Sequence, residues 1–65
     1  MKQARLKHYD EYLSFGEGYA IELKHKDSWE LSSYYPVTRE NYIHDSILVK
    51  LSELQKLGYN VSILP

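Results

Sequence analysis

Residues 38–64 read TRENYIHDSILVKLSELQKLGYNVSIL, and a change of period inside this stretch decides the fold. In its first part Tyr42 or Ile43, Ile47, Leu51, Leu54 and Leu57 recur at three- and four-residue steps, which is one face of a helix. Glu40, Asp45, Lys50, Ser52, Glu53, Gln55 and Lys56 make the opposite, polar face. Thr38 suits an N-cap, and Glu40 suits the positive end of the helix. Lys56 falls in the last turn and Gly58 follows as a C′ glycine. The spacing predicts a helix over residues 39–57. After Gly58 the period drops to two. Tyr59, Val61 and Ile63 alternate with Asn60 and Ser62, as in a strand buried on one side.

Upstream, Tyr19, Ile21 and Leu23 alternate with Ala20, Glu22 and Lys24. Trp29, Leu31 and Tyr35 alternate with Glu30, Ser32 and Tyr34. A loop at Lys26-Asp27-Ser28 would oppose Leu23 to Leu31, Tyr19 to Tyr35 and Lys24 to Glu30, a register favoured by its cross-strand pairs. Gly16-Glu17-Gly18 reads as a second, three-residue loop. It would pair Phe15 with Tyr19, Leu13 with Ile21 and Asp10 with Lys24, making residues 9–15 a strand. Glu11 would then face Leu23. Residues 1–8 are left as an arm, a strand extension or a short helix. The expected chain is one small α+β domain over residues 1–65. It has an antiparallel three-stranded meander, one long helix on one face and a final short strand (β-β-β-α-β). The placement of that last strand stays open.

Composition narrows the function classes. Sixty-five residues exclude a barrel or a doubly wound cofactor fold. A chain this short buries only about 60% of its unfolded surface, so most large apolar residues are committed to the core. The absence of cysteine excludes disulfides, thiolate metal sites and a Cys nucleophile. Eight Lys and Arg against nine Asp and Glu speak against a dedicated nucleic-acid binder. No apolar run is long enough for a secretory signal or a membrane span, so the expected location is the cytoplasm.

Chemistry-bearing patterns are sparse. His8, His25 and His44 lack a ligand spacing, and the register above puts His8 near Lys26, which disfavours a cation. No serine sits in a nucleophile elbow. Gly16-Glu17-Gly18 is too short to cradle a phosphate, and Glu17 would repel one. No catalytic residue, metal or cofactor is expected.

The unusual feature is seven tyrosines among 14% aromatic residues. The register puts Tyr9, Phe15, Tyr19, Trp29 and Tyr35 under the helix. Tyr12 and Tyr34 fall on the other face, with Ala20, Glu22, Lys24, Glu30 and Ser32. That face is expected to serve a protein partner or self-association, through Tyr12, Tyr34, Lys24 and Glu22. The expected function is therefore a small non-catalytic binding domain (an adaptor, inhibitor or regulatory accessory). The alternative is nucleic-acid binding through Arg5, Lys7, Lys24 and Lys26, since the basic N-terminal segment and the second loop meet in this register. Acidic Glu22 and Glu30 weigh against a phosphate track on the sheet face.

The element order superficially resembles small toxin folds and double-stranded RNA-binding folds. The basic helix start of the RNA-binding group is missing at Thr38, Arg39, Glu40 and Asn41. No residue role is carried over.

Overall fold

A computed structural model describes residues 2–37 and 43–64, with the backbone alone for Ile43 and His44. The elements are β1 (Lys2–Tyr9), β2 (Gly18–His25), β3 (Ser28–Pro36), α1 (Ile43–Lys56) and β4 (Tyr59–Ile63). This is the expected β-β-β-α-β order. The strands form one sheet, β3-β2-β1-β4, with β1, β2 and β3 antiparallel and β4 parallel to β1. The sheet is mixed because the helical crossover returns the chain from the β3 edge to the β1 edge, a connection long enough for parallel pairing.

The helix covers one face. Ala4, Ile21, Ile47, Leu51 and Leu54 form the buried core, with Leu6, Tyr19, Leu23, Tyr35, Tyr59 and Val61 packed around them. Ile47, Leu51 and Leu54 are the stripe read from the helical period. Leu57 is not part of it and is exposed. The helix ends at Lys56, and Leu57 lies in a closing turn where its amide bonds to the Glu53 and Leu54 carbonyls. Gly58 follows at φ +92°, the left-handed conformation that ends helices on glycine. The readings of Thr38, Glu40 and Tyr42 lie outside the described residues.

Two registers differ from expectation. The first strand is residues 2–9, not 9–15, so the arm and short-helix readings of its start fall away. Ala4 pairs with Leu23, Leu6 with Ile21 and His8 with Tyr19. Ala4, Leu6 and His8 alternate with Gln3, Arg5 and Lys7, which puts the apolar members under the helix. This pairing avoids setting Glu11 against Leu23. The pairs expected for Leu13, Phe15 and Asp10 do not form. Residues 10–17 make a loop instead, closed by bonds from the Tyr12 amide to the Gly16 carbonyl and from the Phe15 amide to the Tyr12 carbonyl.

In the second hairpin, Tyr19 does face Tyr35. The turn, however, has only Lys26 and Asp27 between paired His25 and Ser28. Lys26 supplies the positive φ (56°) that so tight a turn needs. Counting back, Lys24 faces Trp29, Leu23 faces Glu30 and Glu22 faces Leu31. Ile21 then faces Ser33, which leaves Ser32 as the extra residue of a β-bulge. The expected Leu23–Leu31 and Lys24–Glu30 pairs are therefore absent. Because side chains alternate, the bulge turns Trp29 and Leu31 to the open face and Glu30 to the helix side.

Candidate binding face on the open side of the sheet

Among the described residues, nothing but the 10–17 loop lies over the face opposite the helix. From β1 it receives Gln3, Arg5, Lys7 and Tyr9. Their register partners bring Glu22 and Ala20 from β2. From β3 come Trp29, Leu31 and Tyr34, and from β4 Asn60 and Ser62.

Glu22 organises the centre. It is 6% exposed, a carboxylate buried on the side without a helix. Arg5 Nε donates to its Oε1 at 2.6 Å, and the Tyr9 hydroxyl donates to its Oε2 at 2.8 Å. Direct register partners Arg5 and Glu22 can meet this closely because their side chains leave the sheet side by side. The Arg5 guanidinium carbon also lies 4.2 Å from the Trp29 ring centroid. Lys24 reaches the same indole at 5.8 Å, and Lys7 lies 4.8 Å from the Tyr9 ring. Ammonium and guanidinium groups over aromatic faces are held by the ring quadrupole. Burial first, then the Glu22 carboxylate, raises the Tyr9 hydroxyl above its usual pKa, with Arg5 pulling the other way.

At the Gly18 end the loop folds back on the sheet. Tyr12 stacks on Tyr34 with ring centroids 5.0 Å apart, and it also meets Tyr9 at 4.9 Å. Phe15 packs against Tyr34 at 5.6 Å. The Tyr34 hydroxyl donates to the Gly16 carbonyl at 2.6 Å. A side chain at Gly18 would overlap the Tyr34 phenol and come within 2.7 Å of the Tyr35 carbonyl, so only glycine lets this ring lie flat on the strand. Desolvation first, then Glu17 and Tyr12, raises the Tyr34 hydroxyl above its usual pKa.

The sequence-derived candidates separate accordingly. Tyr12 and Tyr34 are both on the open side, but they are half-buried against each other within one chain. Glu22 is sequestered by Arg5 and Tyr9. Lys24 is exposed and presented. Arg5, Lys7 and Lys24 share the face, whereas Lys26 sits in the turn at its end. The basic segments meet only in part: Arg5 and Lys24 converge on Trp29, while Lys7 and His8 lie toward the opposite end from Lys26. The sequence pattern predicts Tyr9, Phe15 and Trp29 under the helix, and the structure corrects all three, with Phe15 exposed in the 10–17 loop against Tyr12 and Tyr34. The alternation over residues 3–9 is the signal that places Tyr9. The two-residue turn alone places Trp29.

His8 does not neighbour Lys26. Its Nε2 lies 2.8 Å from Glu17 Oε2, and its Nδ1 lies 3.9 Å from Asp10 Oδ1. Donors of these three residues fall within 4.8 Å of one another. In this arrangement the carboxylates flank opposite ring nitrogens, and Asp10 is almost fully exposed. The group clasps the two ends of the 10–17 loop to β1.

A shallow hollow of about 190 Å³ opens beside Trp29, lined by Gln3, Arg5, Asn60, Ser62 and Leu64. No helix among the described residues is long and apolar enough to cross a membrane. No protein-family model matches the chain, no curated protein matches it, and no solved structure matches it.

Proposed function

We propose that this chain is a small, non-catalytic cytoplasmic binding protein whose open sheet face takes single-stranded nucleic acid. The observation that carries this is the company Trp29 keeps. Arg5, Lys7 and Lys24 leave the sheet on the same face as Trp29 and Tyr9, while the two acids that argued against a phosphate track are removed. Glu30 points to the helix side, and Glu22 is matched by Arg5 and Tyr9. What stays on offer is Lys7 and Lys24, which have no carboxylate partner among the described residues and lie beside the Tyr9 and Trp29 rings. That combination suits a strand whose bases stack while its phosphates meet cations. The hollow beside Trp29 adds amide and hydroxyl groups from Gln3 and Ser62 next to the stacking surface.

Titrating fluorescently labelled single-stranded DNA and RNA oligonucleotides with the protein, followed by anisotropy, tests this. These two cations predict a log K against log salt slope of about −1.4, from about −0.7 per phosphate. Lys24→Gln should reduce that slope by about 0.7. Trp29→Ala should weaken binding by about 1–3 kcal/mol, the worth of one stacked base. No binding at about 50 mM salt ends the proposal.

A protein partner is the second reading, and a different observation favours it. Leu13 is held at φ 53° while 76% exposed, next to exposed Phe15. A strained backbone presenting apolar side chains to solvent is a pattern of recognition loops. Loss of partner capture on Leu13→Ser with Phe15→Ser, and retention on Trp29→Ala, would favour it.

A further inference from the structure

The two edges of the sheet are not alike. The β3 edge carries Glu30, a bulge at Ser32 and Pro36 at its end. Charges, bulges and prolines are the devices that stop a free edge from pairing. The β4 edge, Tyr59-Asn60-Val61-Ser62-Ile63, has none of them. It is a regular, uncharged, five-residue strand. Among the described residues its only strand neighbour is β1.

Hydrogen bonding shows which amides of β4 point away from β1. The Leu64 amide donates to the Leu6 carbonyl, so Leu64 faces β1. Backbone direction alternates along a strand, so Asn60 and Ser62 also bond inward, and Tyr59, Val61 and Ile63 present N–H and C=O groups outward.

We propose that β4 pairs with β4 of a second copy of this chain, antiparallel about a two-fold axis through Val61. Val61 then faces Val61 of the other copy, and Tyr59 faces Ile63 in each direction. These are the three outward positions, so each pair exchanges two backbone bonds. Tyr59 against Ile63 is an aromatic–β-branched pair on the helix side, and Asn60 against Ser62 is a polar pair on the open side. No like charges meet. The palindromic fit of this short strand to itself is what selects a second copy over another partner.

Surface beside the edge points the same way. Ile63 is 70% exposed and Leu48 62% exposed, on an apolar hollow of about 180 Å³ that also takes in Leu6, Tyr19, Ile47 and Leu51. The helix runs closest to β4 among the strands. In the dimer both helices lie on one side of a continuous eight-stranded sheet and flank the axis, so Leu48 and Ile63 lie beside the surface the second copy covers. The guarded β3 edges end up outermost, so assembly stops at two. The open faces of both copies become one surface, although the pairing itself does not depend on what that surface binds.

Sedimentation equilibrium of the full chain without nucleic acid, over micromolar to millimolar loading, tests this. The expected species has twice the 7.7 kDa chain mass. Ile63→Pro removes an outward N–H and leaves the Leu64–Leu6 bond in place. Ile63→Lys places a charge on the edge. Both should sediment as monomers while keeping the wild-type far-ultraviolet circular dichroism. Monomeric wild type at every loading overturns the proposal. So does a dimer that survives both Ile63 variants, a dimer lost on Phe15→Ser instead, or a ladder of higher oligomers. If either Ile63 variant fails to fold, Leu48→Lys on the exposed helix flank serves in its place and should weaken the dimer at least tenfold. An unweakened dimer there also counts against it.

Discussion

Replacing Arg5 by methionine tests what holds the open face together. Glu22 is 6% exposed, with Arg5 Nε 2.6 Å from Oε1 and the Tyr9 hydroxyl 2.8 Å from Oε2. Removing one partner of a buried ion pair costs about 3–5 kcal/mol, because the other charge stays buried. Two features lower that figure. The Arg5 side chain is 20% exposed, so water can approach the vacated position. Tyr9 also continues to donate one hydrogen bond. Methionine keeps part of the contact with Trp29. The expected cost is about 2–3 kcal/mol. A single core in a chain this short rarely supplies more than about 3–5 kcal/mol, so Arg5→Met should leave a marginal fold. Arg5→Met combined with Glu22→Met removes both charges and fills the volume. It should return to within about 1 kcal/mol of wild type, as apolar replacement of buried pairs commonly does. Urea unfolding followed by far-ultraviolet circular dichroism gives the free energies. Trp29 fluorescence is an independent probe, because Arg5 lies against that ring. If Arg5→Met changes stability by less than about 0.5 kcal/mol, the carboxylate is hydrated and the pair contributes nothing. If the double variant is as unstable as the single one, Arg5 acts through its packing and not through its charge.

Ile21→Ala should cost about 2–5 kcal/mol because the side chain is fully buried, whereas Leu31→Ala, 45% exposed on the open face, should stay within about 0.5 kcal/mol. Equal costs in urea unfolding would mean that the bulge does not divide the faces as described. Gly18→Ala should destabilise by more than about 1 kcal/mol and move the Tyr34 ring, which near-ultraviolet circular dichroism reads; an unchanged aromatic spectrum contradicts the close approach at that position. The folded state raises the Tyr9 and Tyr34 pKa values above 10.0 and so prefers their protonated forms. Their contribution is complete below pH 10.0 and is lost as pH rises through the folded values. Thermal midpoints should fall on that limb and fall less steeply in Tyr9→Phe, so a midpoint that climbs above pH 10.0 rules this out. Gly58→Ala should cost about 1–2 kcal/mol through its left-handed φ, and an unaffected midpoint would place the helix end elsewhere.

How legible the fold was in sequence depended on whether a signal was local. The α1 stripe of Ile47, Leu51 and Leu54 and the β4 alternation are each set by neighbours within a few residues, and both emerge, except that Ile63 is exposed while Tyr59 and Val61 pack on the core. Strand pairing is not local. For β1, two stretches competed to pair with β2. The stretch that does not pair is the more attractive in sequence, because Gly16-Glu17-Gly18 resembles a hairpin turn and residues 10–15 hold three large apolar or aromatic side chains. The correct stretch carries charges at every second position, Arg5 and Lys7, which look like a solvated arm until Glu22 and the rings of Trp29 and Tyr9 are placed beside them. Pairing across the sheet makes Arg5 a strand residue, and nothing in its own segment announces that.

The bulge has the same character and a larger consequence. One unpaired residue, Ser32, separates the part of β3 where Tyr35 belongs to the core from the part where Trp29 and Leu31 belong to the open face. Were Ser32 paired in an unbroken ladder counted back from Tyr19–Tyr35, Trp29 would lie under the helix and Glu30 would face Lys24, leaving an open face with two acids and no indole. The candidate face therefore exists because a two-residue turn and a downstream Tyr19–Tyr35 pair demand registers one residue apart, and the strand absorbs the difference at Ser32. Deleting Ser32 poses the question directly. The turn and the downstream Tyr19–Tyr35 pair then fall in a single register without a bulge, so the variant should fold with Tyr35 in the core and Trp29 still on the open face. Trp29 fluorescence blue-shifted into a buried environment would mean that the two-residue turn has yielded, and loss of folding would mean that the bulge itself is required; either outcome refutes this account of β3.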